Sequence, residues 1–194
     1  DCVARPGIEY MNQAADALMG IFGFRRVKEK KMRSKSRKTL ESPPQADIAS
    51  SVNTKTRVKK KKPFLAKLST LQAKADAAAS IYIRMKAADH AGCVTCITCG
   101  KYLPWTEAHC AHYIERAKKA TRWTEENLAA ACPGCNVYRK EFHMREYTLY
   151  MIDTYGREKI AELKKEASSL LSPSQVRSLA EEALEYYTNA IKEL

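Results

Sequence analysis

The sequence predicts an α+β fold: a small metal-stapled core of short strands and turns, flanked by α-helices and preceded by a disordered basic segment. Three observations lead there. Two CxxC pairs, CITCG at 96–100 and CPGC at 132–135, bracket a stretch of short segments broken by turns. Apolar residues recur at helical spacing before and after that stretch. The charge imbalance of the chain is confined to one run: residues 25–62 hold 15 basic and 3 acidic residues, while the rest of the 194-residue chain holds 19 of each.

Residues 7–24 read as a short helix interrupted by glycines, so 1–24 is set apart as a segment with no assigned function. Residues 25–63 are rich in Lys, Arg, Ser, Thr and Pro and offer no face to bury, which predicts a flexible basic linker. The folded domain is expected over 64–194. Leu68, Leu71, Ala75, Ala78, Tyr82 and Met85 recur at three- and four-residue spacing, and the alanines raise helix propensity, so a helix is placed over about 64–89. After Asn136 a helical pattern runs through Tyr155, with Gly156 as its stop and a further helix over 157–168. Ser172, Pro173 and Gln175 form a capping box with proline at the first helical position, opening a last helix with Val176, Leu179, Ala183, Tyr186 and Ala190 on one face.

A hydrophobic content of 45% supports a modest core, so a metal would add to stability without being its sole source. No apolar run approaches the roughly 18 residues of a membrane span. The first residues lack the basic and apolar regions of a secretory signal, which predicts a reducing, cytoplasmic compartment; Asp1 at the start reads as a processed product or a fragment. In a reducing compartment seven cysteines argue for metal or free thiols before disulfides. The net charge of +12 favours nucleic acid, held through counterion release. A merely solvated tail is the plain alternative, and an anionic membrane surface is disfavoured because the run has little apolar periodicity.

A CxxC turn lets two thiolates converge on one ion at about 2.3 Å, and two such turns complete a closed tetrahedral zinc site. Cys96, Cys99, Cys132 and Cys135 are therefore the expected structural Zn2+ ligands. CVTC at 93–96 is also a CxxC, so Cys93 competes; Gly100 directly after Cys99 favours the 96 and 99 pair. A redox dithiol is the weaker rival, since no βαβ pattern surrounds either pair.

Between the pairs lies AHCAHYIERAKKATRWTEENL. A strand over Glu107–Ile114 would turn Cys110 and His112 to one face and Glu107, His109 and Ala111 to the other. His112, Asn127 and Asn136, with cysteine pairs on either side, resemble the pattern of HNH, or ββα-metal, nucleases, and the CN behind the last cysteine is similar to the phage endonuclease VII group of Holliday-junction resolvases. A closer resemblance is to the lambdoid-phage NinG (Rap) recombination proteins, carried by CITCG, AHY, RWTEENL, CPGCN and the tyrosines and YG of EYTLYMIDTYG over about 75–165.

That resemblance implies a zinc-bound treble-clef ββα core in which His112 is the general base, Asn136 a ligand of a catalytic Mg2+ or Mn2+, and Asn127 the asparagine that braces the loop between the strands. It also implies a substrate of branched recombination DNA, such as Holliday junctions and D-loops, a homodimer matched to the two-fold symmetry of a junction, and the cytoplasm of a bacterial host. The sequence departs from many HNH nucleases at Ala111, where an Asp or His would be a second metal ligand; His109 or Glu107 would substitute. His143 lies two helical turns, about 10 Å, beyond Asn136, and would join the ion only if the helix starts late. Arg116, Lys118, Lys119, Arg122, Arg139 and Lys140 are candidate phosphate contacts or ordinary surface charges. Trp105, Trp123, Tyr186 and Tyr187 read as packing residues. A non-catalytic zinc-containing DNA-binding module is the alternative, separated from the nuclease only by cleavage.

Overall fold

The structure, a computed structural model, describes Gly20, residues 66–138 and residues 140–194. The expectations for 1–24, Gly20 apart, and for the basic linker 25–63 lie outside the described residues.

Helix α1 (Leu68–Lys86) buries Leu71, Ala75, Ala78, Tyr82 and Met85 of the expected stripe, with Leu68 partly covered at its start. It is shorter than the sequence reading at both ends. Lys67 is already extended, with ψ 140, and supplies no side-chain cap. At the other end the Asp89 carboxylate accepts from the backbone N–H groups of Ala91 and Cys93, a local turn that competes with further helix.

Two antiparallel pairs follow. Strands β1 (Cys93–Thr95) and β2 (Tyr102–Pro104) form the first, and β3 (His109–His112) and β4 (Leu128–Ala131) the second. The β3/β4 register sets His109 opposite Ala131 and His112 opposite Leu128. The expected strand over 107–114 is trimmed because Glu107 and Ala108 donate their N–H groups to the Pro104 carbonyl in a turn, while Asn127 ends the ladder at Ile114.

Helix α2 (Lys140–Ala167) is preceded by a π-helical turn at Gly134–Tyr138 and broken at Gly156, whose φ of 82° and ψ of 167° lie in a region that side chains disfavour. Thus the expected stop at Gly156 is a sharp break with the helix resuming behind it. Helix α3 (Pro173–Glu193) opens with the capping box: Ser172 Oγ accepts from the Gln175 N–H and the Gln175 side chain accepts from the Ser172 N–H.

The buried stripe of α3 is Val176, Ala180, Ala183, Tyr187 and Ile191, rotated from the sequence reading. The reason is its neighbour. Tyr187 lies 5.4 Å, centroid to centroid, from the Tyr82 ring of α1 and donates its hydroxyl to the Trp123 carbonyl, whereas Tyr186 sits at the edge and reaches Glu125. Tyr147 of α2 is fully buried and donates toward the carbonyls of Ala111 and Asn127, fixing α2 against the β3/β4 pair. The core of the described residues therefore runs from the α1/α3 contact through the strands to α2.

A four-cysteine centre and the cleft beside it

The first CxxC closes as a turn at the end of the β1/β2 hairpin. The Cys96 N–H donates to the Lys101 carbonyl and the Gly100 N–H to the Cys96 carbonyl, with Gly100 at φ 70° making the tight return. The second follows β4, where the Asn136 N–H donates to the Cys132 carbonyl and the Cys135 N–H approaches the Cys132 sulfur at 3.4 Å. A bond from the Ile97 N–H to the Ala130 carbonyl holds one turn against the other strand pair.

This brings Cys96, Cys99, Cys132 and Cys135 together, with all four sulfurs within 4.8 Å of one another. A tetrahedron with metal–sulfur bonds of about 2.3 Å has edges of about 3.8 Å. The Cys99 and Cys132 sulfurs are 3.7 Å apart, which fits. Burial, the largest influence on Cys96, pushes its thiol up, but backbone hydrogen bonds from Cys132, Cys99 and Thr98 bring it down to about 7. Burial raises Cys99 and Cys135. Adjacent thiols cannot all ionise without a cation among them, so the donor set suits a thiophilic ion such as zinc. Cys93 lies outside this cluster.

Directly behind Cys135, the Asn136 amide lies 3.3 Å from Nδ1 of His109 on β3. Both line a cavity of about 400 Å³ together with Glu107, Arg84 and Arg116. Cys110 also lines it, but burial pushes its thiol up to about 12, so it stays protonated and uncharged.

His112 ends β3 and is half-buried. Burial, reinforced by the Arg116 charge, lowers its pKa to about 4 against the opposing effects of Asp76 and a hydrogen bond with the Arg122 backbone. The ring is therefore neutral near pH 7, the form that can accept a proton. It is not one of the residues lining the cavity; the groups that act on it are Arg116, Asp76 and Arg122.

Asn127 is completely buried and braces the connection from β3 to β4. Its amide donates to the Ile114 and Thr121 carbonyls and its Oδ1 accepts from the Ile114 N–H at 2.6 Å.

His143 stands elsewhere. It is 4% exposed, its Nδ1 is 2.5 Å from Thr98 Oγ1 in the first CxxC turn, and its ring sits against Tyr147. The structure thus joins His109 to Asn136 and ties His143 to the cysteine turn.

Among the basic candidates Arg116 and Lys118 are exposed. Lys119 is part-buried, and its pKa is lowered by that burial and then by the Arg122 charge. Arg122, in the sequence a candidate phosphate contact or an ordinary surface charge, donates to Asp76 through bonds of 2.9 and 2.5 Å. The side chains of Arg139 and Lys140 lie outside what is described.

Sequence reasoning missed Asp76 and Arg84. Asp76 accepts from Arg122 and from Trp123 Nε1, and Arg84 gathers four backbone carbonyls. Asp76 could have been flagged as a lone carboxylate inside an apolar helical stripe; Arg84 gave no signal.

Fold and site together define a mixed helix and strand protein with a cluster of four cysteines that could hold a metal ion. Its sequence matches the family model described as Bacteriophage Lambda NinG protein over residues 17–194. The chain belongs to the NinG family. No curated protein and no solved structure matches it. Among the described residues no helix is long and apolar enough to cross a membrane.

Proposed function

We propose that this chain is a metal-dependent DNA endonuclease of the HNH type, acting on branched recombination intermediates such as Holliday junctions and D-loops. The observation that carries the reading is the meeting of Asn136 and His109 in a polar cleft immediately behind the cysteine cluster. A structural Zn2+ held by Cys96, Cys99, Cys132 and Cys135 makes a treble-clef frame, and a rigid frame is what a hydrolytic site needs. Membership of the NinG family, whose resemblance implies phage recombination, supports that substrate class.

In this reading Asn136 and His109 hold Mg2+ or Mn2+, with Glu107 in the same cleft as a source of carboxylate. An imidazole nitrogen and an amide oxygen suit a divalent ion that keeps several waters. When bound, that ion supplies charge stabilisation to the phosphorane and the leaving oxygen. His112, neutral at rest, takes the proton from the attacking water, and its hydrogen bond with the Arg122 backbone orients the ring. Asn127 keeps β3 and its following loop in place for that transfer. A homodimer delivers paired cuts to a two-fold junction, and the basic run at 25–62 raises capture of DNA without reading bases.

The test is incubation of the purified protein and His112→Ala with a labelled immobile four-way junction and a matched linear duplex, in Mg2+ or Mn2+ and without added metal. Metal-dependent nicking near the branch, lost in the variant, supports the nuclease. A second reading has its own observation: Ala111 is fully buried and offers no ligand, and His112 does not line the cleft. If both proteins bind the junction and neither cuts it in any metal, the chain is a non-catalytic zinc-containing DNA-binding protein.

A further inference from the structure

Arg84 stands on the last turn of α1, outside every motif that the sequence singled out. Its Nε donates to the Ser80 carbonyl at 2.8 Å, and its Nη1 lies 3.2 to 3.4 Å from the carbonyls of Trp105, Thr106 and Ala108. The guanidinium also lies 5.3 Å from the centre of the Trp105 ring. These contacts fasten α1 to the turn between β2 and β3, the turn that presents Glu107 and His109.

They also immobilise a positive charge in the wall of the cleft. Arg84 and Arg116 line the same cavity, and both guanidinium charges act on the Cys110 thiol that lies in that wall. Glu107 is the single carboxylate among the lining residues. No salt bridge joins Arg84 or Arg116 to a carboxylate among the described residues; the Arg116 charge acts on Asp76, but that carboxylate is bonded to Arg122. Nη2 of Arg84 has no acceptor among them either. A guanidinium already fixed by its other nitrogens loses little side-chain freedom on binding, and its planar edge suits the oxygens of a phosphate.

We infer that Arg84 and Arg116 form a phosphate-binding pair in this cleft, with Arg84 the fixed member and Arg116 the exposed one. The ligand class is a phosphodiester of the nucleic-acid backbone. Naming it as the DNA strand beside the bond to be cut rests on the nuclease reading; the pair itself does not. Arg84 so placed has two effects: it sets the β2–β3 turn, and it meets one phosphate.

Salt dependence separates those effects. Each phosphate neutralised on duplex DNA adds about 0.9 to the slope of log K against log salt, whereas a turn that is merely distorted weakens binding without changing that slope. Binding of the full chain to a labelled four-way junction is followed by anisotropy over a salt series, without added divalent metal. Wild type, Arg84→Lys, Arg84→Gln and Arg116→Gln are compared. The expected result is a slope smaller by about 1 in each glutamine variant, and a wild-type slope in Arg84→Lys. A wild-type slope in Arg84→Gln or in Arg116→Gln, or a reduced slope in Arg84→Lys, overturns the pair.

If Arg84→Gln fails to fold, judged by zinc content and circular dichroism, the wild-type protein decides. Its arginine side-chain nitrogen resonances are titrated with inorganic phosphate, with assignments from Arg84→Lys and Arg116→Gln. Joint movement of the Arg84 and Arg116 signals supports the pair, and an unmoved Arg84 signal refutes it. Because binding is read, a chain that shows these slopes yet cuts nothing refutes the nuclease and leaves the pair standing. A chain that cuts with unchanged slopes refutes the pair alone.

Discussion

The amide of Asn136 and Nδ1 of His109 lie 3.3 Å apart although 27 positions separate them in the chain. The β3/β4 register and the second CxxC turn produce that meeting: His109 pairs with Ala131, and Asn136 follows one turn beyond. If these two side chains hold the hydrolytic ion, His109→Ala and Asn136→Ala should each lower cleavage about 100-fold or more, the size associated with losing a group that positions transition-state charge. They should also weaken Mn2+ binding by a similar factor, read by electron paramagnetic resonance. Cleavage lost with Mn2+ affinity intact would remove both residues from the ion.

The four cysteines should hold one zinc ion per chain, measurable by elemental analysis of purified protein. Metal binding couples to folding where the ligands come from separated segments, here the β1/β2 hairpin and the end of β4. Cys135→Ser should release the ion and lower Tm by about 10 °C or more, corresponding to several kcal/mol. A zinc-free wild type of unchanged stability would argue against the centre.

Asn127 is the expected weak point of the loop. Asn127→Ala strips partners from the Ile114 N–H and from the Ile114 and Thr121 carbonyls in a fully buried position. The expected cost is about 2–4 kcal/mol, since unsatisfied buried groups carry their full desolvation penalty. Urea denaturation gives the value; a cost below about 0.5 kcal/mol would mean that the loop is held by other contacts.

His112 provides a pH test with a definite sign. Its folded pKa of about 4 lies below the ordinary 6.5, so the unfolded chain takes up this proton first as pH falls. Stability from this group is complete above pH 6.5 and is lost as pH falls from 6.5 through 4. The loss amounts to at most about 3 kcal/mol at 1.36 kcal/mol per pKa unit. Comparing wild type with His112→Ala at pH 7 and pH 4.5 removes the contribution of the thiolates. A smaller pH dependence in the variant is expected, and the acid limb of kcat/KM for cleavage should fall near pH 4. An acid limb near 6.5 would mean that the ring is open to water.

The sequence by itself determined the elements that local physics controls. Ser172, Pro173 and Gln175 specify a helix start because the cap bonds lie within one turn. Gly156 specifies a break because few other residues tolerate its backbone angles. The CxxC spacing fixes pairs of thiols because each turn brings its own two sulfurs together. The helix ends at Lys67 and Ala87 were less legible, since neither carries a side-chain cap.

What only the tertiary structure decided were the partners of polar side chains distant in sequence. Arg122 looked like its basic neighbours until the fold set Asp76 beside it, and His143, which the sequence left as a ligand only for a helix that starts late, lies against Thr98. Arg84 acquired a role only when the β2–β3 turn came to rest against α1. Hydrophobic periodicity reports which face of an element is buried, but not what will lie opposite it. A charge or an imidazole takes its function from that opposite surface.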